Sequence, residues 1–232
     1  MTPARQLVLE LPHRTALGRD DFLVTASNAT AVAMIDRWPS WPSSAVLLAG
    51  PAGSGKTHLA EVWRQSSGAA RASAAGLGEA DLPKLLGGRA LVVEDAPGPR
   101  LDETALFHLL NHARQIGVSV LITTSLPVAQ WGVQLPDLLS RLRAIPVAEL
   151  GSPDDTLLRG VLVKLFADRQ LAVEETTISY LLRRMPRSLA AARGLVAEID
   201  RRALEEKAEV SRGFASRVLG SINAPGLFDD SD

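Results

Sequence analysis

Several features are missing from this 232-residue chain. It contains no cysteine, so it can form neither a disulfide nor a thiolate metal site. No run of about 18 apolar residues occurs and the N-terminus lacks an apolar core, so we expect no membrane span and no signal peptide, and hence a cytoplasmic protein. The formal net charge of −1 argues against a dedicated surface for duplex DNA, because neutralisation of phosphates dominates such binding.

A glycine-rich segment at 50–57, Gly-Pro-Ala-Gly-Ser-Gly-Lys-Thr, matches the pattern G-x-x-x-x-G-K-[ST] in full. An apolar run of strand length precedes it and a helix-like segment follows it. Its glycines let several backbone N–H groups turn towards one anion, and the following helix adds the positive end of its dipole. The alternative, a glycine-rich turn with a chance lysine, is disfavoured by the flanking strand and helix.

This segment predicts a P-loop that binds the phosphates of ADP or ATP. Lys56 would reach the β- and γ-phosphates, and the Thr57 hydroxyl would hold Mg²⁺. The residues assigned to the nucleotide here are Gly50, Pro51, Ala52, Gly53, Ser54, Gly55, Lys56, Thr57 and His58.

Polar residues end two further apolar strands. The strand 90–93 runs into Glu94 and Asp95, and downstream of a P-loop this predicts one carboxylate for Mg²⁺ and one that polarises the attacking water. The alternative is a buried strand that ends in a solvated acidic turn. The strand 118–122 ends in Thr123-Thr124-Ser125; Thr124 is the candidate nucleotide contact, with its two neighbours left open.

The order of elements predicts an α/β fold in which a parallel sheet flanked by helices is followed by an all-helical domain. Strands and helices alternate up to about residue 150, with a strand expected at 144–148, and only helices follow. The predicted boundaries are an extended tail at 1–14, a nucleotide-binding domain at 15–150, a helical lid at 151–222 and a flexible C-terminus at 223–232.

These motifs together resemble the AAA+ ATPases, and within them the branch of the replication initiator DnaA and its short relative Hda. The segment Leu-Pro-Asp-Leu-Leu-Ser-Arg-Leu at 135–142 resembles the box VII motif of that branch, which implies that Arg141 is an arginine finger acting on a neighbour's ATP. The alternative is a surface arginine paired with Asp137 on the same helix. Pro-Arg-Ser-Leu at 186–189 resembles the sensor 2 motif, which implies that Arg187 contacts the nucleotide from the lid. Ser27-Asn28 resembles the segment that walls the adenine site.

The N-terminal tail carries leucines in alternation. Exposed leucines predict a docking peptide, and the alternative is an edge strand that packs on its own domain. The stretch resembles the peptide by which Hda and other proteins dock on the β sliding clamp of DNA polymerase III. Its candidate contact residues are Gln6, Leu7, Leu9 and Leu11.

The resemblance covers roughly residues 5–222 and implies a negative regulator of replication initiation. Such a protein binds ADP or ATP with Mg²⁺, docks on the clamp and promotes hydrolysis of DnaA-bound ATP, which prevents re-initiation. The chain stops after the lid, which implies contact with DNA only through the clamp. The resemblance is also compatible with a homo-oligomer. The order Glu94-Asp95 departs from the family's Asp-Glu or Asp-Asp, which implies weak or no intrinsic ATPase. The alternatives are a stand-alone ATPase or helicase loader, an interaction module shaped by ADP and, more distantly, a P-loop kinase.

Overall fold

The computed structural model describes residues 22–222, which form two compact units divided between Ser152 and Pro153. The tail with Gln6, Leu7, Leu9 and Leu11 and the C-terminal residues 223–232 lie outside the described residues.

The first unit is built on a five-stranded parallel sheet in the order β2-β3-β4-β1-β5. Its strands are β1 (Ala45–Ala49), β2 (Ala70–Ser73), β3 (Ala90–Ala96), β4 (Ser119–Thr124) and β5 (Val147–Glu149). Its helices are α1 (Ala29–Asp36), α2 (Lys56–Ser67), α3 (Leu82–Leu85), α4 (Glu103–Ile116) and α5 (Pro136–Arg143). Single 3₁₀ turns lie at Ala74–Gly76, Glu79–Asp81 and Val128–Gln130.

The central strands carry continuous apolar runs because helices cover both faces of the sheet. Along β3, Ala90 and Val92 belong to the core on one face, whereas Leu91 and Val93 belong to the core on the other. The parallel arrangement gathers the carboxyl ends of all five strands on one side, here called the carboxyl edge, and their starts on the opposite side, the amino edge.

The second unit is helical in the described range, with α6 (Asp155–Asp168), α7 (Glu175–Leu182), α8 (Leu189–Glu206) and α9 (Arg212–Ile222). Side-chain caps fix the starts of two of these helices. The Asp154 carboxylate accepts a hydrogen bond from the backbone N–H of Leu157 (2.7 Å), and the Ser188 hydroxyl accepts one from that of Ala191 (3.3 Å). A parallel sheet between helices followed by a helical unit is the fold class that the sequence predicted. None of the described helices has the length and apolar character needed to cross a membrane.

The last strand differs from expectation, since β5 begins at Val147 rather than at 144. The backbone N–H groups of Ala144 and Ile145 still bond to the carbonyls of Arg141 and Leu142, so these residues form the exit of α5. The apolar character of this stretch therefore reflects burial at a helix end rather than strand pairing.

Candidate nucleotide site

The P-loop lies at the carboxyl edge, directly after β1. Gly53 (φ 73°) and Gly55 (φ 102°) adopt left-handed backbone conformations that favour glycine, and α2 begins at the next residue. At Gly50 any side chain would be obstructed, because a Cβ atom would lie 2.6 Å from the carbonyl oxygen of Leu150. The Ser54 hydroxyl is buried and has no hydrogen-bond partner in the described part of the chain. The loop thus combines a bare glycine backbone with an unpartnered hydroxyl donor, as suits a phosphate site.

The Lys56 ammonium is held inside this loop. Its Nζ donates hydrogen bonds to the carbonyl oxygens of Gly50 (2.8 Å) and Pro51 (2.9 Å), and the residue is 7% exposed. Burial lowers the pKa of Lys56, and the negative charge of Asp95 opposes that shift. A phosphate arriving here would stabilise the charged ammonium, so the lysine is placed to gain from an anion.

The two carboxylates after Val93 have different surroundings. Glu94 is buried and forms an ion pair with Arg71 from the neighbouring strand β2. Asp95 is exposed, lies at a bulge in β3 and has a left-handed φ of 56°, while its backbone N–H donates to the Thr123 hydroxyl (3.0 Å). Asp95 is the carboxylate whose charge reaches Lys56, whereas Glu94 is neutralised by an arginine.

Sequence reasoning missed Arg71. The strand register places Ser73 opposite Glu94, so Arg71, two residues earlier in β2, projects from the same face of the sheet. A basic residue in a short strand otherwise made of alanine and serine was the available signal, but the register was needed to connect it with Glu94.

Thr124 at the end of β4 is buried and ties this strand to the P-loop. Its carbonyl oxygen accepts a hydrogen bond from the N–H of Gly50 (3.2 Å). Its hydroxyl donates to the carbonyl of Leu126 (2.8 Å) and accepts from the N–H of the same residue (3.1 Å). Contact between this hydroxyl and a nucleotide stays a prediction.

The segment 22–28 lies beside the start of α2. Asn28 is buried; its side chain accepts from the N–H of Thr25 (2.8 Å) and donates to the carbonyl of Leu23 (2.9 Å), which closes the segment into a compact turn. The ring of Phe22 meets the ring of His58 edge-on, with centroids 5.1 Å apart. These contacts place an ordered segment next to the P-loop helix, and its role as a wall of the adenine site stays a prediction.

Arg141 lies in the last turn of α5, at the amino edge. It is half-buried, and its guanidinium carbon lies 5.7 Å from the centroid of the Phe107 ring, within cation–π distance. Its Nε is buried without a hydrogen-bond partner among the described residues, and no ion pair there joins it to Asp137. Since β1 alone separates the two edges by about 13 Å, Arg141 is remote from its own P-loop.

Arg187 belongs to the helical unit, where its Nη1 lies 2.8 Å from a carboxylate oxygen of Asp155. Both side chains are more than half exposed, so the pair contributes little stability and the guanidinium remains accessible. Its role as a nucleotide contact stays a prediction.

The donor set at the carboxyl edge suits a nucleoside di- or triphosphate with Mg²⁺. Backbone N–H groups, Lys56 and the unpartnered Ser54 hydroxyl are donors for phosphate oxygens. For Mg²⁺, the exposed Thr57 hydroxyl and Asp95 supply hard oxygen ligands. Within residues 22–222 no group of three or more His, Cys, Asp or Glu side chains could hold a metal unaided.

The chain has the fold of the AAA+ P-loop ATPases. This fold consists of a parallel sheet in the order β2-β3-β4-β1-β5, a P-loop directly after β1, and a helical unit that follows in the chain. No family model matches the chain, and no curated protein sequence matches it. Among solved structures, the fold is similar to those of DnaA and RuvB.

Three solved structures illustrate that likeness. Domain III of the Thermotoga maritima replication initiation protein DnaA superposes with a TM-score of 0.77 at 18% identity, covering 93% of this chain and 100% of that domain. The Thermotoga maritima RuvB Holliday junction branch migration motor has a TM-score of 0.70 at 18% identity, covering 89% and 72% of the two chains. DnaA bound to AMPPCP and single-stranded DNA has a TM-score of 0.64 at 17% identity, covering 81% and 66%.

Proposed function

We propose that the chain is an Hda-like negative regulator of replication initiation. It binds ADP or ATP with Mg²⁺, docks on the β sliding clamp through Gln6, Leu7, Leu9 and Leu11, and promotes hydrolysis of ATP bound to DnaA. The similarity of its fold to that of domain III of DnaA supports this proposal.

The observation that carries the proposal is the position of Arg141. It lies at the amino edge with an unpartnered buried Nε, while the only P-loop in the sequence lies at the carboxyl edge. A guanidinium that cannot reach the nucleotide of its own chain is available for a nucleotide held by another molecule.

The nucleotide of the chain itself then has a structural role. Glu94 is engaged by Arg71, which leaves Asp95 as the single carboxylate acting near Lys56. One carboxylate can support Mg²⁺, but a further residue has to orient the attacking water, and Glu94 is engaged elsewhere. Weak or absent intrinsic hydrolysis follows, with ADP as the working ligand.

The chemical contribution of Arg141 is charge stabilisation. During hydrolysis the oxygens of the γ-phosphate and the leaving oxygen carry developing negative charge, and an arginine supplied in trans is worth about 10³–10⁵ in rate. The planar guanidinium can donate to two phosphate oxygens at once, which a lysine ammonium cannot do. DnaA supplies the nucleotide, its Mg²⁺ and the attacking water.

The decisive experiment measures hydrolysis of ATP on DnaA in the presence of clamps loaded on DNA. We expect Arg141→Ala to lose at least about 10³-fold of the stimulated rate, and Arg141→Lys to restore little of it. Arg143→Ala is the matched control, because this arginine is exposed on the same helix. Wild-type stimulation by Arg141→Ala would remove Arg141 from the mechanism.

Clamp docking needs a separate test. Replacing both Gln6 and Leu7 by alanine should weaken clamp binding and leave the melting temperature unchanged, with Glu10→Gln as the control in the same tail. Loss of folding in the double variant would favour the edge-strand interpretation. Measurement of intrinsic ATP turnover separates the regulator from a stand-alone ATPase or helicase loader, which would hydrolyse ATP without DnaA.

A further inference from the structure

A cavity at the amino edge lies outside the nucleotide site. Its volume is about 360 Å³, and it opens between the start of β1 and the last turns of α4 and α5. The described residues that line it include two arginines, Arg114 and Arg141, and two serines, Ser43 and Ser44, and none of them is acidic.

The charge in this cavity is positive. The carboxyl ends of α4 and α5 each contribute roughly half a negative charge. The two positive charges of Arg114 and Arg141 outweigh this negative charge. Neither Arg114 nor Arg141 has a carboxylate partner among the described residues. Two like charges that share one cavity repel each other, and an anion between them would remove that repulsion.

The polar groups of the cavity are arranged as donors. The guanidinium of Arg141 is held over the Phe107 ring at 5.7 Å. The Ser43 hydroxyl oxygen accepts a hydrogen bond from the N–H of Ala45 (3.3 Å), which leaves its proton to be donated. Phosphate oxygens only accept hydrogen bonds, and arginine pairs suit them because each guanidinium can donate two parallel bonds.

We propose that this cavity is a phosphate-binding site in which Arg114 and Arg141 both contact the same phosphate chain. Arg114 on α4 is thus a second phosphate-binding residue beside Arg141 on α5. Assigning the phosphate to a nucleotide held by another protein rests on the function proposed above; a free polyphosphate would present the same chemistry.

The test uses inorganic pyrophosphate and the full chain with Lys56→Ala, which disables the P-loop as a competing site. We expect calorimetry to show one binding event. Arg114→Ala or Arg141→Ala should each weaken it about tenfold to a hundredfold, the loss expected for charge-assisted hydrogen bonds. Arg143→Ala should leave it unchanged.

Two results would overturn the site: a folded Lys56→Ala protein that binds no pyrophosphate, or equal binding with and without Arg114. Should Lys56→Ala fail to fold, the wild-type chain serves instead. The wild-type chain should bind pyrophosphate both at the P-loop and in the cavity, and Arg114→Ala must remove one of these two binding events.

The two sources of phosphate are separated by the hydrolysis assay with DnaA and clamp. If Arg114→Ala lowers stimulation about tenfold or more at unchanged clamp binding, the cavity receives the nucleotide of DnaA. Normal stimulation combined with lost pyrophosphate binding supports the same site with a free polyphosphate as its ligand. If the wild-type chain does not stimulate hydrolysis at all, the proposed function fails, while the pyrophosphate titration still decides the phosphate site.

Discussion

The two edges of the parallel sheet differ in whether their charged side chains have partners of opposite charge. At the carboxyl edge, charges are matched within the chain: Lys56 is held by two loop carbonyls and faces Asp95, and Glu94 is paired with Arg71. At the amino edge, Arg141 has an aromatic ring beneath it but no carboxylate partner among the described residues.

This difference fits the proposal that the carboxyl edge is completed by its own chain and that Arg141 at the amino edge acts on another molecule. A buried or half-buried donor without a partner has a free-energy cost, which a ligand that accepts its hydrogen bond would remove. At the carboxyl edge the Ser54 hydroxyl is such a group. The amino edge has a guanidinium, which calls for an acceptor of full negative charge.

The largest effect expected at the carboxyl edge comes from Lys56→Ala. A ligand that binds only the folded state adds about 2.7 kcal/mol to the free energy of unfolding at a hundred times its Kd. We expect ADP with Mg²⁺ to raise the melting temperature of the wild type accordingly, and Lys56→Ala to abolish the rise. Lys84→Ala, an exposed lysine outside the loop, is the control. If neither ADP nor ATP changes the melting temperature of the wild type, the nucleotide site is refuted, and with it the contrast between the two edges of the sheet.

A smaller effect distinguishes the two carboxylates of the same edge. Because Asp95 acts near Lys56 and Glu94 is engaged by Arg71, Asp95→Asn should weaken Mg²⁺-dependent ADP binding roughly tenfold, the scale seen for residues that orient a metal. Glu94→Gln should change it much less. Calorimetry with and without Mg²⁺ measures both, and the reverse order would make Glu94 the metal ligand.

Much of the carboxyl edge could be predicted from the sequence because its signals are local. β1, β3 and β4 each contain a continuous apolar run, as expected for strands covered on both faces, and the P-loop pattern follows β1 and runs into α2. The helical unit was equally accessible, because apolar residues recur at helical spacing along its segments.

What could not be predicted depends on contacts between distant segments. The Arg71–Glu94 pair requires the register of β2 on β3, and β2 is a four-residue strand whose side chains specify no register. The cavity at the amino edge is assembled from three separate stretches, near 42–45, 110–114 and 141–145. Arg114 therefore had no signal in the sequence, although Arg141 did.

Removing Arg71 tests whether the carboxyl edge is matched internally. Arg71→Ala leaves the buried Glu94 without its ion-pair partner, and we expect the free energy of unfolding to fall by about 1 kcal/mol, since Arg71 itself is 58% exposed and screened. Denaturant unfolding measures the loss, with the exposed Arg89→Ala as a control. The double variant Arg71→Ala with Glu94→Gln should recover most of it, and failure to recover would mean that Arg71 stabilises the fold by packing.

The smallest effect concerns the ring beneath Arg141. Phe107→Leu keeps an apolar side chain in α4 but removes the aromatic face, and a cation–π contact of this kind is worth about 0.5–1 kcal/mol. If Phe107 orients the guanidinium towards a nucleotide outside the chain, stimulated hydrolysis on DnaA should fall about two- to fivefold. The thermal shift with ADP should stay as in the wild type, because the two edges are separate sites. Phe107→Leu in an Arg141→Ala background should then add no further loss, since the ring acts only through the arginine. A loss that adds to that of Arg141→Ala would assign Phe107 a contact of its own. A reduced ADP shift would show that the two edges are coupled.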